Sequence, residues 1–373
     1  MRHFPQKIGI AAHNFDTYTE TFIRQHVENL PFDIVTLSGA QLEHGPGGLL
    51  RKSKPERARQ YLLRMLGQFD DRKWALRRVT SWILHQKVDA MLAEFGVMGL
   101  QLVDACEQAG MPLIVHFFGY DAYIGETPDL TEKYRAMFAK SAAIIGVSRA
   151  MCKRLRDIGA PSEKVHYVPS YVNPEKYPQL SPGEAPPHLL AIGRFVEKKA
   201  PQLTILAFSK ALAIRPDIRL EMVGDGPLLG ACIWLAHALK VEHAIIFHGP
   251  KSHEWLASAM KRFRAFIQHS VRAQNGDSEG TPAAILEALC SGLPVLTTSH
   301  AGITEAVVDG ETGFLCAEGD VEGMAQSILR ICDSDRATVQ AMSNAARKRF
   351  LNEYSREKTL DKLAEIIRQA IQN

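Results

Sequence analysis

Short apolar runs rich in Val, Ile and Leu alternate along the chain with longer stretches in which apolar residues return every three or four positions. The first pattern fits strands buried on both faces, and the second fits helices that cover them. In the first half the strand-like runs are KIGIAA, FDIVTLS, VDAMLAE, PLIVHFFG, AAIIGVS and KVHYVPS. In the second they are HLLAIGRF, RLEMVG, AIIFHG, AFIQHS, PVLTT and GFLCA. Strand and helix in regular alternation predict an α/β protein with two doubly wound, Rossmann-like parallel sheets. Between the halves a proline-dense stretch, VNPEKYPQLSPGEAPP, follows neither period and is expected to be a linker. The predicted organisation is a first domain over 1–172, a linker over 173–187, a second domain over 188–354 and an amphipathic helix over 355–373.

Length supports this division, because 373 residues exceed what one hydrophobic core usually supports. The net charge of +3 is small and argues against a dedicated nucleic-acid binder. One segment, 51–78, is rich in Arg and Lys with apolar residues interleaved; it fits a solvated helical face, or a surface for anionic lipid or an acidic acceptor. The six cysteines lack CxxC pairing and are expected to be reduced and buried, as in a cytoplasmic protein. The opening MRHFPQKIGIAAHNF has no apolar core of a signal peptide, and no run is long enough to span a bilayer, so any membrane contact is expected to be peripheral, at the inner face.

Ligands of open α/β sheets bind beyond the carboxyl ends of the strands, so chemistry is sought there. In AIGRFVEKKAP, Arg194 and Lys199 flank a turn after a strand, and two cations there suit a diphosphate. In VGDGPLLG, Gly224, Gly226 and Gly230 give GxGxxxG, which is not the dinucleotide fingerprint; a tight turn that lets backbone approach a ligand is the expectation. The stretch GDSEGTPAAILEALCSGLPV places Glu279 in a loop and Glu287 inside an apolar helix, where a carboxylate is costly unless it is bound. Thr281 is expected to cap that helix, Pro282 to begin it and Gly292 to end it, which leaves the N–H groups of Gly280, Thr281 and Ala283 for a ligand. Glu287 could accept from a vicinal diol such as a ribose. The DxD at Asp333 and Asp335 falls between two helices and is expected to supply caps, not a metal site.

The motifs GRFVEKKAP, VGDGP, EGTPAAILE and SGLPVLTT with GITEAVVDGETGFL, in this order, resemble the GT-B glycosyltransferases of family GT4 across the second half. The first half resembles them more loosely through YTETFIRQHV, VHFFGYDAY and GVSRAM, and looks most like the bacterial exopolysaccharide branch with its colanic-acid-type transferases. Ala200 stands where that family usually has glycine, and Ala301 and Thr304 stand where it tends to have glycine and proline. The resemblance implies two domains facing a cleft, the first for the acceptor and the second for a nucleotide-sugar, with the terminal helix crossing back to the first. It implies that Gly193, Arg194, Lys199 and Gly224 lie along the diphosphate, that Glu279 holds the donor sugar and that Glu287 holds the ribose. Backbone at Gly280, Thr281, Pro282 and Ala283 would follow the sugar and phosphates, and Pro250 and Lys251 would lie near the base. His116 would touch the donor sugar, joining Arg194, Lys199 and Glu279 as catalytic residues; on the acceptor side, Asp121 would orient the loop or the acceptor, and Glu20 and Thr21 would contact the acceptor or the donor phosphates. The implied reaction is retaining transfer from a UDP- or GDP-sugar to a saccharide or lipid-linked saccharide, without metal or cofactor. A non-catalytic nucleotide-sugar binder and a sugar-nucleotide epimerase on the same fold are the alternatives, the second disfavoured by the E-x7-E stretch.

Overall fold

The computed structural model describes residues 6–15, 21–39, 42, 61–62, 65, 70–123 and 128–372. The chain divides into two units, one of Met1–Gly146, Cys152–Val168 and Leu360–Asn373, the other of Val147–Met151 and Pro169–Thr359.

In the first unit β1 (Lys7–Ala12), β2 (Asp33–Ser38), β3 (Ala90–Glu94), β4 (Leu113–Phe117), β5 (Ala143–Gly146) and β6 (Val165–Tyr167) form one parallel sheet. Its order is β2-β1-β3-β4-β5-β6, so the chain reverses direction across the sheet between β1 and β3. Strands β3, β4 and β5 are buried at every position, which is why their sequences are apolar apart from Glu94 and His116. The helix Asp71–Gln86 is capped by Asp70, which accepts from the Lys73 N–H, and it buries Val79, Trp82 and Ile83. This helix carries the end of the basic segment; residues 51–60, 63–64 and 66–69 lie outside the described residues. From Leu360 onward the terminal helix Arg356–Gln372 belongs to the first unit, with Lys362 over the Tyr167 ring and Arg368 over Phe32.

In the second unit β7 (His188–Ile192), β8 (Arg219–Val223), β9 (Ile245–Phe247), β10 (Ala265–Gln268), β11 (Val295–Thr298) and β12 (Gly313–Cys316) form a parallel sheet in the order β12-β11-β10-β7-β8-β9. Successive side chains go to opposite faces. Leu189 and Ala191 join a core with Ile205, Phe208 and Ile328, while Leu190 and Phe266 join another with Ile285, Leu286 and Phe350. Residues 173–187 are packed chain and not a free tether. Tyr177 is buried, Leu180 donates to the Ser291 carbonyl at 2.9 Å, and two turns begin at Pro174 and Pro182. Proline supplies the stiffness of this stretch, and its aromatic residue supplies the anchor.

All six cysteines are free and buried, and burial pushes the Cys106, Cys290 and Cys332 thiols up to about 12. Asp335 caps the helix Arg336–Glu353 by accepting from Thr338 N–H at 2.7 Å. Asp333 is not a cap; it ends the preceding helix and pairs with Arg215. No helix among the described residues is long and apolar enough to cross a membrane.

Candidate functional site

In the second sheet β7 and β10 are neighbours from which the chain winds outward in both directions, which makes their carboxyl ends the switch point. Lys199 follows β7 and Glu279 follows β10, and the topology brings them together: Lys199 Nζ lies 2.8 Å from Glu279 Oε1. The same ammonium donates to Gln268 Oε1 at 3.2 Å, and Gln268 Nε2 donates in turn to Ser270 Oγ at 2.6 Å. Lys198 pairs with Asp277 at 2.9 Å. Burial alone would raise the Glu279 carboxyl, but Lys199 and Lys198 more than offset it and hold the group below its ordinary range. Arg194 is exposed and makes no ion pair among the described residues, so its guanidinium is available to an anion.

The helix after Glu279 runs Ala283–Ser291 and ends at Gly292 in the left-handed conformation. Its cap is Pro282, not Thr281. Pro282 has extended backbone angles, so helical geometry starts one residue later than expected, and the buried Thr281 hydroxyl donates to the Val147 carbonyl at 3.4 Å. The first N–H groups, at Ala283 and Ala284, precede the first turn of intrahelical bonding, since Ile285 N–H already reaches the Pro282 carbonyl. Gly280 is held from behind by Gly302, where a Cβ would meet the Gly280 oxygen at 1.9 Å. Glu287 is 6% exposed, and His253 Nδ1 stands 3.4 Å from its Oε1. The carboxylate that looked costly in an apolar helix thus has a partner from another element.

The VGDGP glycines approach backbone of this chain. A Cβ on Gly224 (φ +138°) would meet the Gly193 oxygen at 2.0 Å, and one on Gly226 would meet the Phe195 oxygen at 2.6 Å. Gly193 N–H donates to Val223 and Phe195 N–H to Asp225, so the loops after β7 and β8 are zipped together beneath Arg194. Gly224 N–H also donates to the Gly249 carbonyl, which fixes the turn that carries Pro250 and Lys251. Lys251 Nζ lies 5.6 Å from the centre of the Trp255 ring. Ala200 and Ala301 adopt φ of +38° and +43°, a left-handed conformation that costs a residue with a Cβ about 1 kcal/mol.

In the first unit His116 lies within β4 and is 2% exposed. Its Nδ1 is 3.5 Å from Glu94 Oε2, its ring stacks on His26 at 5.6 Å, and Phe118 covers it at 4.1 Å. Glu94 is fully buried and accepts from His26 Nδ1–H at 2.7 Å. Burial raises the Glu94 carboxyl, and the His26 and His116 imidazoles outweigh that and bring it to about 2; burial lowers His116 against the pull of Glu94. Ligand atoms of His26, Glu94 and His116 lie within 4.8 Å of one another. Only His26 and Glu94 are hydrogen-bonded; Glu94 Oε2 and both His116 ring nitrogens are buried without a hydrogen-bond partner among the described residues, and no ion is assigned to the group. Asp121 is also turned inward: its carboxylate accepts from the N–H groups of Gly96, Phe118 and Gly119 at 2.9 to 3.1 Å, an arrangement that fits the loop-orienting role among its expected ones. Burial raises its carboxyl against these three bonds. Thr21 opens the helix Thr21–Asn29, while Glu20 lies outside the described residues.

Family descriptions match nearly the whole chain in two parts: glycosyltransferase family 4 over residues 17–176 and glycosyl transferases group 1 over residues 173–349. The chain belongs to glycosyltransferase family 4. It is 25% identical over 285 residues to the putative colanic acid biosynthesis glycosyltransferase WcaL of Salmonella typhimurium, covering 75% of this chain and 70% of that protein. It is 28% identical over 237 residues to the amylovoran biosynthesis glycosyltransferase AmsK of Erwinia amylovora, a match that spans 63% of this chain and 58% of that one. Among solved structures, HepE from Anabaena in complex with UDP superposes with a TM-score of 0.77 at 15% identity, over 98% of this chain and 100% of that one. At that identity the likeness establishes the fold, which is GT-B with two Rossmann-like domains.

Several residues were not singled out from sequence: in the second unit Gln268, which steadies Lys199, and His253, which meets Glu287, and in the first unit the His26–Glu94 pair. His300 belongs with them, since its Nε2 accepts the Glu279 backbone N–H. A strand-end position was the available signal for Gln268, Glu94 and His300, but many polar residues share it.

Proposed function

We propose that the protein is a retaining glycosyltransferase that moves a sugar from a UDP- or GDP-linked donor to a saccharide or lipid-linked saccharide acceptor in bacterial polysaccharide assembly. The observation that carries this reading is the pair of half-buried Lys199 and buried Glu279 at the switch point, 2.8 Å apart, with an exposed Arg194 in the loop of Lys199 and a helix N-terminus after Glu279. The WcaL and AmsK likenesses support the polysaccharide setting, and the UDP held by HepE supports a nucleotide donor.

In this reading the donor diphosphate takes Lys199 from Glu279 and adds Arg194, and the freed carboxylate accepts from the sugar hydroxyls. Glu287 accepts from the ribose diol in competition with His253. The bond between the anomeric carbon and the phosphate oxygen breaks with its electrons passing to the diphosphate, whose growing charge the cations and the N–H groups of Ala283 and Ala284 stabilise without rearrangement. The acceptor hydroxyl attacks from the same face, and its proton passes to the departing phosphate oxygen. The chain's own cations do the neutralising, so no metal or cofactor is assigned a step.

The test is to incubate the protein with UDP- and GDP-linked glucose, galactose, N-acetylglucosamine and mannose and measure free UDP or GDP. Release with one donor, accelerated by a saccharide acceptor, is expected. Binding without release would point to a non-catalytic binder, and an epimerised sugar to the epimerase alternative.

A further inference from the structure

Three loops meet at one buried imidazole in the second unit. His300, beyond β11, accepts the backbone N–H of Glu279 at Nε2 (3.1 Å), and its Nδ1 lies 2.6 Å from Glu318 Oε1, beyond β12. The other Glu318 oxygen accepts from the Arg272 N–H at 2.8 Å, in the loop after β10. A peptide N–H only donates and a carboxylate only accepts, so these partners demand a neutral ring with its proton on Nδ1. A second buried histidine supports the platform: His269 Nε2 accepts from Gly319 N–H at 2.9 Å, next to Glu318. Burial pushes His269 down to about 4, which keeps it an acceptor at neutral pH.

We infer that His300, held in its Nδ1–H tautomer by Glu318, is the positioning residue for Glu279 in the donor site. This deepens the reading above and rests on it. His300 is 3% exposed and touches no substrate; it acts through the peptide whose side chain meets Lys199. A displaced Glu279 loses its register with the donor sugar, while Arg194 and Lys199 keep their hold on the diphosphate. The loss therefore falls on turnover and not on nucleotide affinity.

Two measurements test it. Long-range ¹H–¹⁵N spectra of the histidine rings in the full chain, with no donor present, should show His300 neutral with its proton on Nδ1; an Nε2–H ring or an imidazolium at neutral pH overturns the inference. In nucleotide release with the donor panel, His300→Ala should lower kcat by about tenfold to a hundredfold with KM nearly unchanged, as expected when a reacting group is misplaced. His300→Gln, whose amide oxygen can accept the same N–H, should recover most of kcat. If His300→Ala folds and keeps full kcat while Glu279→Gln is inactive, the positioning role is overturned and the donor-site reading stands. If Glu279→Gln keeps full turnover, both fall.

Discussion

Glu94 ends β3 beside β1 in the first unit, and Glu279 follows β10 beside β7 in the second, so each sheet buries a carboxylate where its strand order reverses. Glu94 is surrounded by imidazoles, His26 at 2.7 Å and His116 at 3.5 Å, under a lid of Phe118. Glu279 faces Lys199, with Lys198 near and Arg194 exposed in the same loop. An imidazole's charge depends on pH, and this cluster is closed over. An ammonium stays charged and can be claimed by a phosphate. Burial is common to both sites, and what separates them is whether the partner can be taken by a ligand.

The largest effect that sharpens this contrast is Lys199→Ala. Turnover should fall by about 10² to 10³, the scale set by removing a preorganised group that stabilises developing charge. The more exposed Arg194→Ala should cost less, about tenfold. Nucleotide release measures both, and unchanged turnover in a folded Lys199→Ala would break the contrast.

Next comes the packing beneath each site. Gly224→Ala drives a Cβ into the backbone oxygen of Gly193 at positive φ and should destabilise by about 3 kcal/mol. Gly9→Ala in β1 meets the flexible Met91 side chain and should cost about 1 kcal/mol. Urea unfolding of the two variants reads the difference, and equal losses would mean that the zipped loops can yield.

The pH dependence separates the carboxylates by partner. Glu94 is held at about 2 against an ordinary 4.5, so between these values the unfolded chain binds a proton that the folded chain refuses. Its contribution is complete above pH 4.5 and is lost as pH falls toward 2. His116, lowered from 6.5 by burial, acts in the same direction from near pH 6.5 downward, where the unfolded chain charges first. Glu94→Gln should cost about 2 kcal/mol at pH 7 and flatten the loss of stability below pH 4.5, followed as urea midpoint against pH.

The smallest effect concerns strain. Ala200→Gly relieves the left-handed residue after Lys199 and should gain about 0.5 kcal/mol once glycine's extra unfolded freedom is subtracted. Phe95 also has positive φ, +77°, beside Glu94, but Phe95→Gly should destabilise, because its ring packs on Phe22, Phe118 and Tyr120. Thermal unfolding of the two variants compares a strain that packing maintains with one that it does not.

Much of the second unit was legible in advance because its chemistry sits at strand ends and strand ends are local features. Lys199 could be chosen as a cation in the loop after a strand, Glu279 as a carboxylate in the loop before a helix, and Glu287 by the cost of burying charge in an apolar helix. Thr281 and the surroundings of His116 lay beyond that local logic. A one-residue shift in helix start removed Thr281 from the cap, and the residue type at the end of β4 did not reveal that Phe118 and His26 close over His116. The packing of residues 173–187 was out of reach for a related reason: proline density signals stiffness, and whether a stiff segment hangs free or packs depends on a surface elsewhere.

By itself the sequence determined the alternation of strands and helices, the two doubly wound halves and the motifs of family 4, because periodicity and glycine-dependent turns act over a few residues. Tertiary structure alone decided which partner each buried polar group receives. Glu94 meets His26, Glu287 meets His253 and His300 meets the Glu279 peptide across loops that only the finished sheets bring together. Desolvation requires that a buried charge be satisfied, but the requirement is met by any suitable group in reach, and reach is a property of the fold.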